Sequence, residues 1–419
     1  MPDARTSIGV VGAGTMGAGI AQVALEAGEH VLIHDPEPGA VERARDRIAD
    51  GLARRARRRI TEAGRVDAPT VAAVLDRLEI APDLESVARS ARVVVEAVIE
   101  DLAVKRSVFA RLDAAADASA ILATNTSALS VAAIASAVSR PERVIGLHFF
   151  NPVPLMALVE VVAPPAADPG VVATATGLVT GWGKTAVRTA DVPGFIVNRV
   201  NRPFTLEALS LLEAGSGSVE SIDLAVRSAG FPMGPFELMD LVGIDVNLAA
   251  ARAIYAGLSY EPRFRPSAIQ ERLVEAGRFG RKSGEGFYWY GEDGRKIGVA
   301  GAFAAPDATG PDGQPGPRPP ALSSGVSTAI ELRLSDEIVE RIVLAIVDEA
   351  YRALGDGVAD PADIDLALRL GAGHPRGPFE WAIDLGGSRA VLERLERWRS
   401  AGPRFDPAPA LVEAAASEY

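Results

Sequence analysis

The chain contains no cysteine and only four histidines among its 419 residues. The absence of cysteine excludes disulfide bonds, thiolate metal ligands and a cysteine nucleophile, and no metal site is predicted. Long hydrophobic runs are also missing, since no uninterrupted apolar stretch is long enough to span a bilayer. The first five residues enter the first strand without an apolar signal segment, so a cytoplasmic location is expected.

The chain has fewer basic than acidic residues. The 43 basic residues are outnumbered by 55 acidic ones, which gives a net charge of −12 and an isoelectric point near 5.0. This balance provides no general attraction to nucleic acid or to an anionic membrane, so an anionic ligand needs a local basic patch. One such patch exists in the arginine-rich segment at residues 54–59. The length of the chain predicts two or three domains.

A glycine-rich loop follows the first apolar run, SIGVV, which begins at residue 7. The loop has the spacing G-x-G-x-x-G, with Gly12, Gly14 and Gly17 as its glycines and Thr15 and Met16 between the last two. Gly12 allows a tight turn, Gly14 allows a pyrophosphate to approach the backbone, and Gly17 allows the helix to pack closely on the strand. The loop therefore predicts a dinucleotide site.

An acidic residue follows the second apolar run, VLIH, at residues 31–34. Asp35 lies eighteen positions after Gly17, where a carboxylate can accept hydrogen bonds from an adenosine ribose. No arginine follows directly to receive a 2′-phosphate, so Asp35 favours NAD over NADP. The alternative is a tight turn followed by an ordinary helix-capping Asp before Pro36.

Strand-like runs alternate with helical patterns up to about residue 190, which predicts a doubly wound α/β domain over residues 1–190. Its later strands are predicted at residues 92–98, 120–124, 144–149 and 158–162, with helices at 101–116 and 168–182. Helical patterns at 195–214, 218–228 and 245–256 predict an all-helical domain over residues 191–297. The Pro- and Gly-rich residues 298–327 predict an extended linker.

The helical domain repeats after this linker, in residues 328–419. The segment IVNR at 196–199 aligns with IVER at 338–341 at an offset of 142 residues, and GPFE at 234–237 recurs at 377–380 at an offset of 143. The copies differ where Asn198, an amide that donates and accepts, is replaced by Glu340, which accepts only. We expect one active site, in the first copy, and a structural role for the second.

Five further segments carry the chemistry: TNTS at 124–127, GLHFFNPVP at 146–154, LVEVV at 158–162, PGFIVNR at 193–199 and RFGRKSGEGFY at 278–288. With the glycine loop, they resemble the L-3-hydroxyacyl-CoA dehydrogenase family from residue 7 to about 290. Longer members of that family also carry the repeated helical domain. The resemblance implies an N-terminal Rossmann-like, doubly wound sheet followed by two repeated all-helical domains.

The resemblance also implies roles for four residues in oxidising a secondary alcohol. His148 is the general base and acid, since imidazole takes and returns a proton near neutral pH. Glu160 orients that imidazole, as the acid of a catalytic dyad does. Ser127 binds the reacting oxygen, and Asn198 helps to place the oxygen or the thioester carbonyl. Because Asn198 belongs to the helical domain, the site is expected in an interdomain cleft.

Each of these residues has a structural alternative. His148 is a satisfied core histidine in that case, and Ser127 caps the following helix, although Ser130 competes for that role. Glu160 lies among apolar strand residues, where an unpaired carboxylate would be costly to bury. Pairing with His148 is therefore expected. Asn198 is then only a hydrogen bonder between helices.

Further ligand contacts are implied by the same resemblance. Glu100 and Lys105 are expected on the nicotinamide side of the cofactor, although Glu100 can instead belong to a helix N-terminus. The arginines of residues 54–59 offer charge for the phosphates of coenzyme A, and a solvated basic helix face is the alternative. Shorter family members dimerise through the helical domain, so the second copy is expected to replace a dimer interface and leave a monomer or dimer.

The resulting expectation is an enzyme that oxidises a (3S)-3-hydroxyacyl-CoA with NAD, in fatty acid β-oxidation or aromatic-acid breakdown. A sister enzyme acting on a free hydroxy acid is the nearest alternative, and it leaves the arginine run without a ligand. The alternative from another class is a noncatalytic nucleotide-binding protein like a lens crystallin. Retention of Ser127, His148, Glu160 and Asn198 together argues against that reading.

Overall fold

The computed structural model describes residues 7–63, 70–303 and 326–417. The chain divides into two compact units, Met1–Phe195 and Ile196–Tyr419. Within the described ranges, no helix is both long and apolar enough to cross a membrane.

The described residues of the N-terminal unit form eight strands and seven α-helices. The strands are β1 (Ser7–Val11), β2 (His30–His34), β3 (Leu78–Ile80), β4 (Ala91–Glu96), β5 (Ile121–Thr124), β6 (Val144–Phe149), β7 (Leu158–Ala163) and β8 (Thr185–Ala190). The helices are α1 (Thr15–Glu26), α2 (Ala40–Ala63), α3 (Val71–Leu75), α4 (Leu84–Ser90), α5 (Leu102–Ala115), α6 (Val131–Ala135) and α7 (Pro169–Gly181).

These strands form one sheet in the order β3-β2-β1-β4-β5-β6-β7-β8. The first six are parallel, while β7 pairs antiparallel with β6 and β8 runs parallel to β7. The strand order reverses direction between β1 and β4, which is the switch point where open α/β sheets bind ligands. The predicted doubly wound, Rossmann-like fold is confirmed.

Side chains of the central strands alternate between two cores. Ile8 and Val10 belong to one buried cluster, and Val11 belongs to the other. On β4, Val93 and Val95 pack in the first cluster and Val94 packs in the second. Because both faces are covered, these strands are apolar throughout, and this is why the sequence reveals them.

The sequence analysis did not predict the two edge strands, β3 and β8. β3 has only three residues, two of them exposed, and β8 reads TAVRTA, so neither shows a continuous apolar run. Edge strands do not need one, because only part of their surface is buried. Two predicted helices began one residue too early, because Asp101 and Asp168 are the N-caps of α5 and α7 and not their first helical residues.

The C-terminal unit contains two sets of helices that follow the same order. The first set is α8 (Val197–Val200), α9 (Arg202–Glu213), α10 (Val219–Ser228), α11 (Pro235–Val242), α12 (Ile244–Gly257) and α13 (Ala268–Glu275), followed by the hairpin β9 (Tyr288–Tyr290) and β10 (Lys296–Val299). The second set is α14 (Val326–Gly355), α15 (Pro361–Gly371), α16 (Pro378–Asp384), α17 (Ser388–Trp398) and α18 (Pro409–Ser417). The fold class predicted for this region, repeated helical units, is confirmed.

The single helix predicted over residues 195–214 is wrong in detail. Phe195 has a backbone φ of 49°, outside the helical region, and the helix is interrupted between α8 and α9. Pro203 lies in the first turn of α9, and a proline cannot donate the backbone hydrogen bond that would continue a helix. The second copy has Ala345 at the equivalent position, and α14 runs through without a break.

Reciprocal ion pairs join the two helical copies. Arg199 of the first copy contacts Glu349 of the second at 2.8 Å, while the equivalent Arg341 of the second copy contacts Glu207 of the first. Each glutamate is almost completely buried and binds a second arginine at 2.8 Å, Arg263 on Glu349 and Arg404 on Glu207. The arginine of each copy thus contacts the glutamate of the other copy, and the two pairs occupy equivalent positions. This is the pattern of a two-fold symmetric interface, formed here within one chain.

A shared turn explains the repeated GPFE motif. The carboxylate of Asp223 accepts the backbone N–H of Phe236 at 2.9 Å, and Asp365 accepts that of Phe379 at 2.7 Å. A Cβ on Gly234 would lie 2.3 Å from the Asp223 carboxyl carbon, and one on Gly377 would lie 2.2 Å from that of Asp365. Glycine is therefore required in both copies for the aspartate to reach the start of the helix.

Candidate active site

The glycine loop has the geometry that a dinucleotide needs. Gly12 has φ of +100°, and a Cβ there would lie 2.5 Å from the carbonyl oxygen of Ala97. A Cβ on Gly17 would lie 1.8 Å from the carbonyl oxygen of Gly12. Gly14 is exposed with open space beside it, and no side chain caps the N–H groups that begin α1. These N–H groups can therefore bind a pyrophosphate.

Asp35 lies directly after β2 and closes this loop. Its carboxylate accepts the backbone N–H of Ala13 at 2.7 Å and that of Glu37 at 2.9 Å. The side chain is only half-buried, so carboxylate lone pairs remain for the hydroxyls of a ribose. Asp35 thus joins the glycine loop to the position where an adenosine would bind.

His148 and Glu160 form a buried pair on neighbouring strands. The antiparallel register of β6 and β7 places them directly opposite each other, so their side chains share one face of the sheet. His148 Nδ1 lies 2.5 Å from Glu160 Oε2, and both residues are buried. Since a carboxylate accepts, Nδ1 carries the hydrogen and Nε2 keeps a lone pair that can take a proton. The rings of Phe150 and Phe195 lie 4.5 Å and 5.6 Å from the imidazole, between ring centres.

Ser127 lies in the turn that follows β5. The side-chain oxygen of Asn125, at the start of this turn, accepts the backbone N–H of Phe149 at 2.8 Å and so connects the turn to the strand of His148. The N-cap of α6 is Ser130, whose hydroxyl accepts the N–H of Ala133 at 3.2 Å. Ser127 is exposed and does not cap this helix.

Glu100 is held against the same turn. One carboxylate oxygen accepts the hydroxyl of Thr126 at 2.6 Å and the backbone N–H groups of Ser127 and Ala128 at 2.8 Å and 3.1 Å. Burial raises the pKa of Glu100, but the Thr126 hydroxyl, the Lys105 charge and the two N–H groups outweigh it and lower that pKa below its usual range. Asp101 is the N-cap of α5, so Glu100 does not serve that helix end.

Lys105 is completely buried and already has anionic partners. Its ammonium lies 2.7 Å from Glu96 and 3.4 Å from Glu100. Glu96, which is also completely buried, accepts the hydroxyl of Thr124 at 2.7 Å and the backbone N–H of Val98 at 2.7 Å. Lys105 is therefore placed to hold Glu100, and its contact with a cofactor stays a prediction.

A cavity of about 630 Å³ lies between α1, α2 and the segment at residues 151–155. Three arginines line it: Arg47, Arg54 and Arg55. Arg55 pairs with Glu26 at 2.7 Å, whereas Arg47 and Arg54 are exposed. The side chains of Arg58 and Arg59, also part of the predicted basic patch, lie outside the described residues. The cavity therefore carries local positive charge in a chain whose net charge is −12.

Asn198 lies in α8 of the C-terminal unit, and Glu340 of α14 is its counterpart in the second copy. Glu340 accepts hydrogen bonds from Arg394 at 2.8 Å, Arg397 at 3.3 Å and the indole of Trp398 at 3.0 Å. These partners fix Glu340 within its own copy. Among the described residues, no group of three or more His, Cys, Asp or Glu side chains could hold a metal ion.

Family models match almost the whole described chain. The NAD-binding domain of 3-hydroxyacyl-CoA dehydrogenase matches residues 7–192, and the C-terminal domain matches residues 194–290 and again 338–418. The chain belongs to the 3-hydroxyacyl-CoA dehydrogenase family. The predictions of family membership, of an oxidoreductase and of NAD as cofactor are thereby confirmed.

Relatives of two lengths match this family member. A 3-hydroxyadipyl-CoA dehydrogenase of Escherichia coli K12 is 39% identical over 93% of each chain. A 3-hydroxybutyryl-CoA dehydrogenase of Mycobacterium tuberculosis is 41% identical, covering 69% of this chain and 100% of its own length. Among solved structures, a 3-hydroxybutyryl-CoA dehydrogenase of E. coli K12 covers 99% of both chains with a TM-score of 0.84 and 36% identity. Both helical copies are therefore present in full-length relatives.

Sequence reasoning missed three residues that organise this site: Glu96, Asn125 and Lys184. Glu96 and Asn125 were visible only as polar residues at the ends of β4 and β5. Polar side chains at the carboxyl ends of parallel strands are the signal that could have found them. Lys184 gives no such signal, because it precedes an edge strand.

Proposed function

We propose that the protein catalyses the reversible, NAD-dependent oxidation of a (3S)-3-hydroxyacyl-CoA to the 3-oxoacyl-CoA. The observation that carries this proposal is the buried His148–Glu160 pair, with Nδ1 and Oε2 at 2.5 Å, in the unit that also holds the glycine loop. A purely structural protein has no need for a buried carboxylate paired to an imidazole in this way, because burying both groups is costly.

His148 takes the proton of the substrate hydroxyl at Nε2 during oxidation and returns it during reduction. Glu160 keeps the other ring nitrogen protonated, fixes the orientation of the ring and stabilises the imidazolium. When bound, NAD supplies the nicotinamide carbon that accepts the hydride. Phe150 and Phe195 cover the imidazole and limit the access of water.

Ser127 and Asn198 are proposed to bind the oxygens of the substrate. Ser127 donates its hydroxyl to the reacting oxygen, and its turn is fixed by Glu100 through the backbone N–H at 2.8 Å. Asn198 donates its amide to the reacting oxygen or to the thioester carbonyl from the helical unit. Glu100 lies on the nicotinamide side, where its lowered pKa keeps it ionised at neutral pH.

Coenzyme A is proposed to occupy part of the cavity between α1, α2 and residues 151–155. Arg47 and Arg54 are exposed at this cavity and offer guanidinium groups to its phosphates, whereas Arg55 is committed to Glu26. A free hydroxy acid would leave this basic lining without a ligand. The relatives named for 3-hydroxyadipyl-CoA and 3-hydroxybutyryl-CoA support a thioester substrate.

The natural settings for this reaction are β-oxidation or aromatic-acid breakdown, in the cytoplasm. We infer that the second helical copy covers the face that a second chain would otherwise occupy, because Arg199–Glu349 and Arg341–Glu207 already form a symmetric interface. Sedimentation is expected to give one species near 43.7 kDa. A tight dimer through the first helical copy would contradict this inference.

The proposed reaction is tested by following NADH oxidation with acetoacetyl-CoA beside free acetoacetate. Turnover of the thioester alone is expected, and His148→Gln is expected to abolish it while NADH still binds. If neither substrate is reduced although NADH binds, the CoA-dependent reaction is contradicted. A screen of free hydroxy acids would then distinguish a sister dehydrogenase from a noncatalytic protein.

A further inference from the structure

The segment that follows His148, residues 151–156, contributes its first five residues to one wall of the basic cavity. It belongs to no helix or strand, and a turn within it pairs the N–H groups of Leu155 and Met156 with the carbonyl oxygen of Pro152 at 2.9 Å and 3.0 Å. Side chains from elsewhere in the fold bind other carbonyl oxygens of the segment. Because the segment connects His148 to the cavity, its shape determines where a thioester can lie relative to the imidazole.

Lys184 is the side chain that fixes this segment most strongly. It immediately precedes β8, is only 8% exposed, and donates to the carbonyl oxygens of Val153 at 2.6 Å and Met156 at 2.7 Å. Burial and the nearby charge of Arg55 lower its pKa to about 8, against the opposing charge of Glu26. At pH 7 the ammonium is therefore charged, and charge-assisted hydrogen bonds of this length are strong.

Two other contacts also hold this segment. Arg55 of α2 lies 3.4 Å from the carbonyl oxygen of Pro154 while it pairs with Glu26 of α1. Val153 packs so closely on α1 that a Cβ on Gly19 would lie 2.8 Å from the Val153 Cβ. Among the described side chains that contact the segment, Lys184 alone donates two short hydrogen bonds, so it is the main anchor.

We propose that Lys184 is a positioning residue for the CoA thioester. It holds residues 151–156 in the shape that forms the cavity wall, and it touches neither the cofactor loop nor the His148–Glu160 pair. This inference rests on the proposed function. Loss of the ammonium therefore weakens thioester binding and leaves NADH binding unchanged.

The test compares Lys184→Met, which keeps the aliphatic stem but removes the charge and the donors, with the wild type at pH 7. The KM for acetoacetyl-CoA is expected to rise about tenfold or more, with kcat and the KM for NADH changing less than about threefold. Lys184→Arg retains a charged donor and is expected to fall between the two. Arg45→Met is the matched control, because Arg45 is exposed on α2 and does not line the cavity.

Direct binding of acetoacetyl-CoA, measured by calorimetry, separates this inference from the proposed function. A wild type that neither binds nor reduces the thioester contradicts both. A wild type that does both, with unchanged thioester affinity in Lys184→Met, overturns only the role of Lys184, as does an equal rise in the KM for NADH. If Lys184→Met does not fold, Lys184→Gln, which retains an uncharged donor, replaces it in the same comparison.

Discussion

The two helical copies of this chain share one architecture but differ at the position proposed to bind substrate. Both copies place an aspartate, Asp223 or Asp365, at the start of the GPFE helix, and both contribute two arginines and one glutamate to the reciprocal interface. They differ at Asn198 and Glu340, where the second copy holds an anion bound by three donors of α17. Packing constrains the shared positions, whereas the position proposed to touch substrate was free to change in one copy.

The largest predicted effect comes from substitutions that break the reciprocal interface between the two helical copies. Glu207→Ala leaves Arg341 and Arg404 without their shared carboxylate, and an uncompensated buried charge costs about 3–5 kcal/mol. Glu349→Ala is expected to cost less, because Arg199 keeps Asp356 at 2.5 Å and Arg263 keeps Glu261 at 2.7 Å. The free energy of unfolding in urea measures both.

Glu337→Ala is the control for this prediction, because Glu337 pairs with Arg333 on an exposed part of α14. Exposed pairs contribute less than about 1 kcal/mol. A loss at Glu207 no larger than that at Glu337 would show that the interface does not depend on the buried carboxylates.

A smaller effect is expected from the shared glycine. Gly234→Ala and Gly377→Ala each place a Cβ within 2.3 Å of an aspartate carboxyl carbon, and such overpacking costs about 1–3 kcal/mol. Gly177→Ala is the control with the opposite sign: it lies inside α7 with open space, so alanine is expected to stabilise by about 0.5–1 kcal/mol. Thermal unfolding distinguishes these outcomes, and destabilisation in only one copy would refute their equivalence.

The smallest effect concerns pH. Burial raises the pKa of Asp223 to about 6, so the folded chain binds its proton more tightly than the unfolded chain does. The free energy of unfolding therefore falls as pH rises from about 4 to about 6, by on the order of 1 kcal/mol from this group. Asp365 is only half-buried, and burial raises its pKa as well.

Unfolding of wild type, Asp223→Asn and Asp365→Asn across this pH range checks the prediction. Asp223→Asn is expected to flatten the fall in stability more than Asp365→Asn does. A slope that is the same in all three proteins would contradict the assignment.

The sequence predicted the parts of this molecule that follow a regular period or a local motif. The buried strands β1, β2, β4, β5, β6 and β7 were visible as largely apolar runs, and the glycine loop and Asp35 as a spaced motif. The edge strands β3 and β8 were not visible, because partial burial demands no such run. The partners of Lys105 and Lys184 could not be read either, since contacts such as Lys184 to Val153 depend on tertiary packing. The predicted linker at 298–327 lies largely outside the described residues.

We propose that the chain has one active site although its helical domain is duplicated. The most direct test measures kcat/KM for acetoacetyl-CoA, with NADH, in Asn198→Ala and Glu340→Ala side by side. Asn198→Ala is expected to lose about 10²-fold or more, as removal of a donor to a reacting oxygen does. Glu340→Ala is expected to stay within about threefold of wild type and to lose only thermal stability. Equal losses in the two variants, or a larger loss at Glu340, would contradict a single active site that uses only the first helical copy.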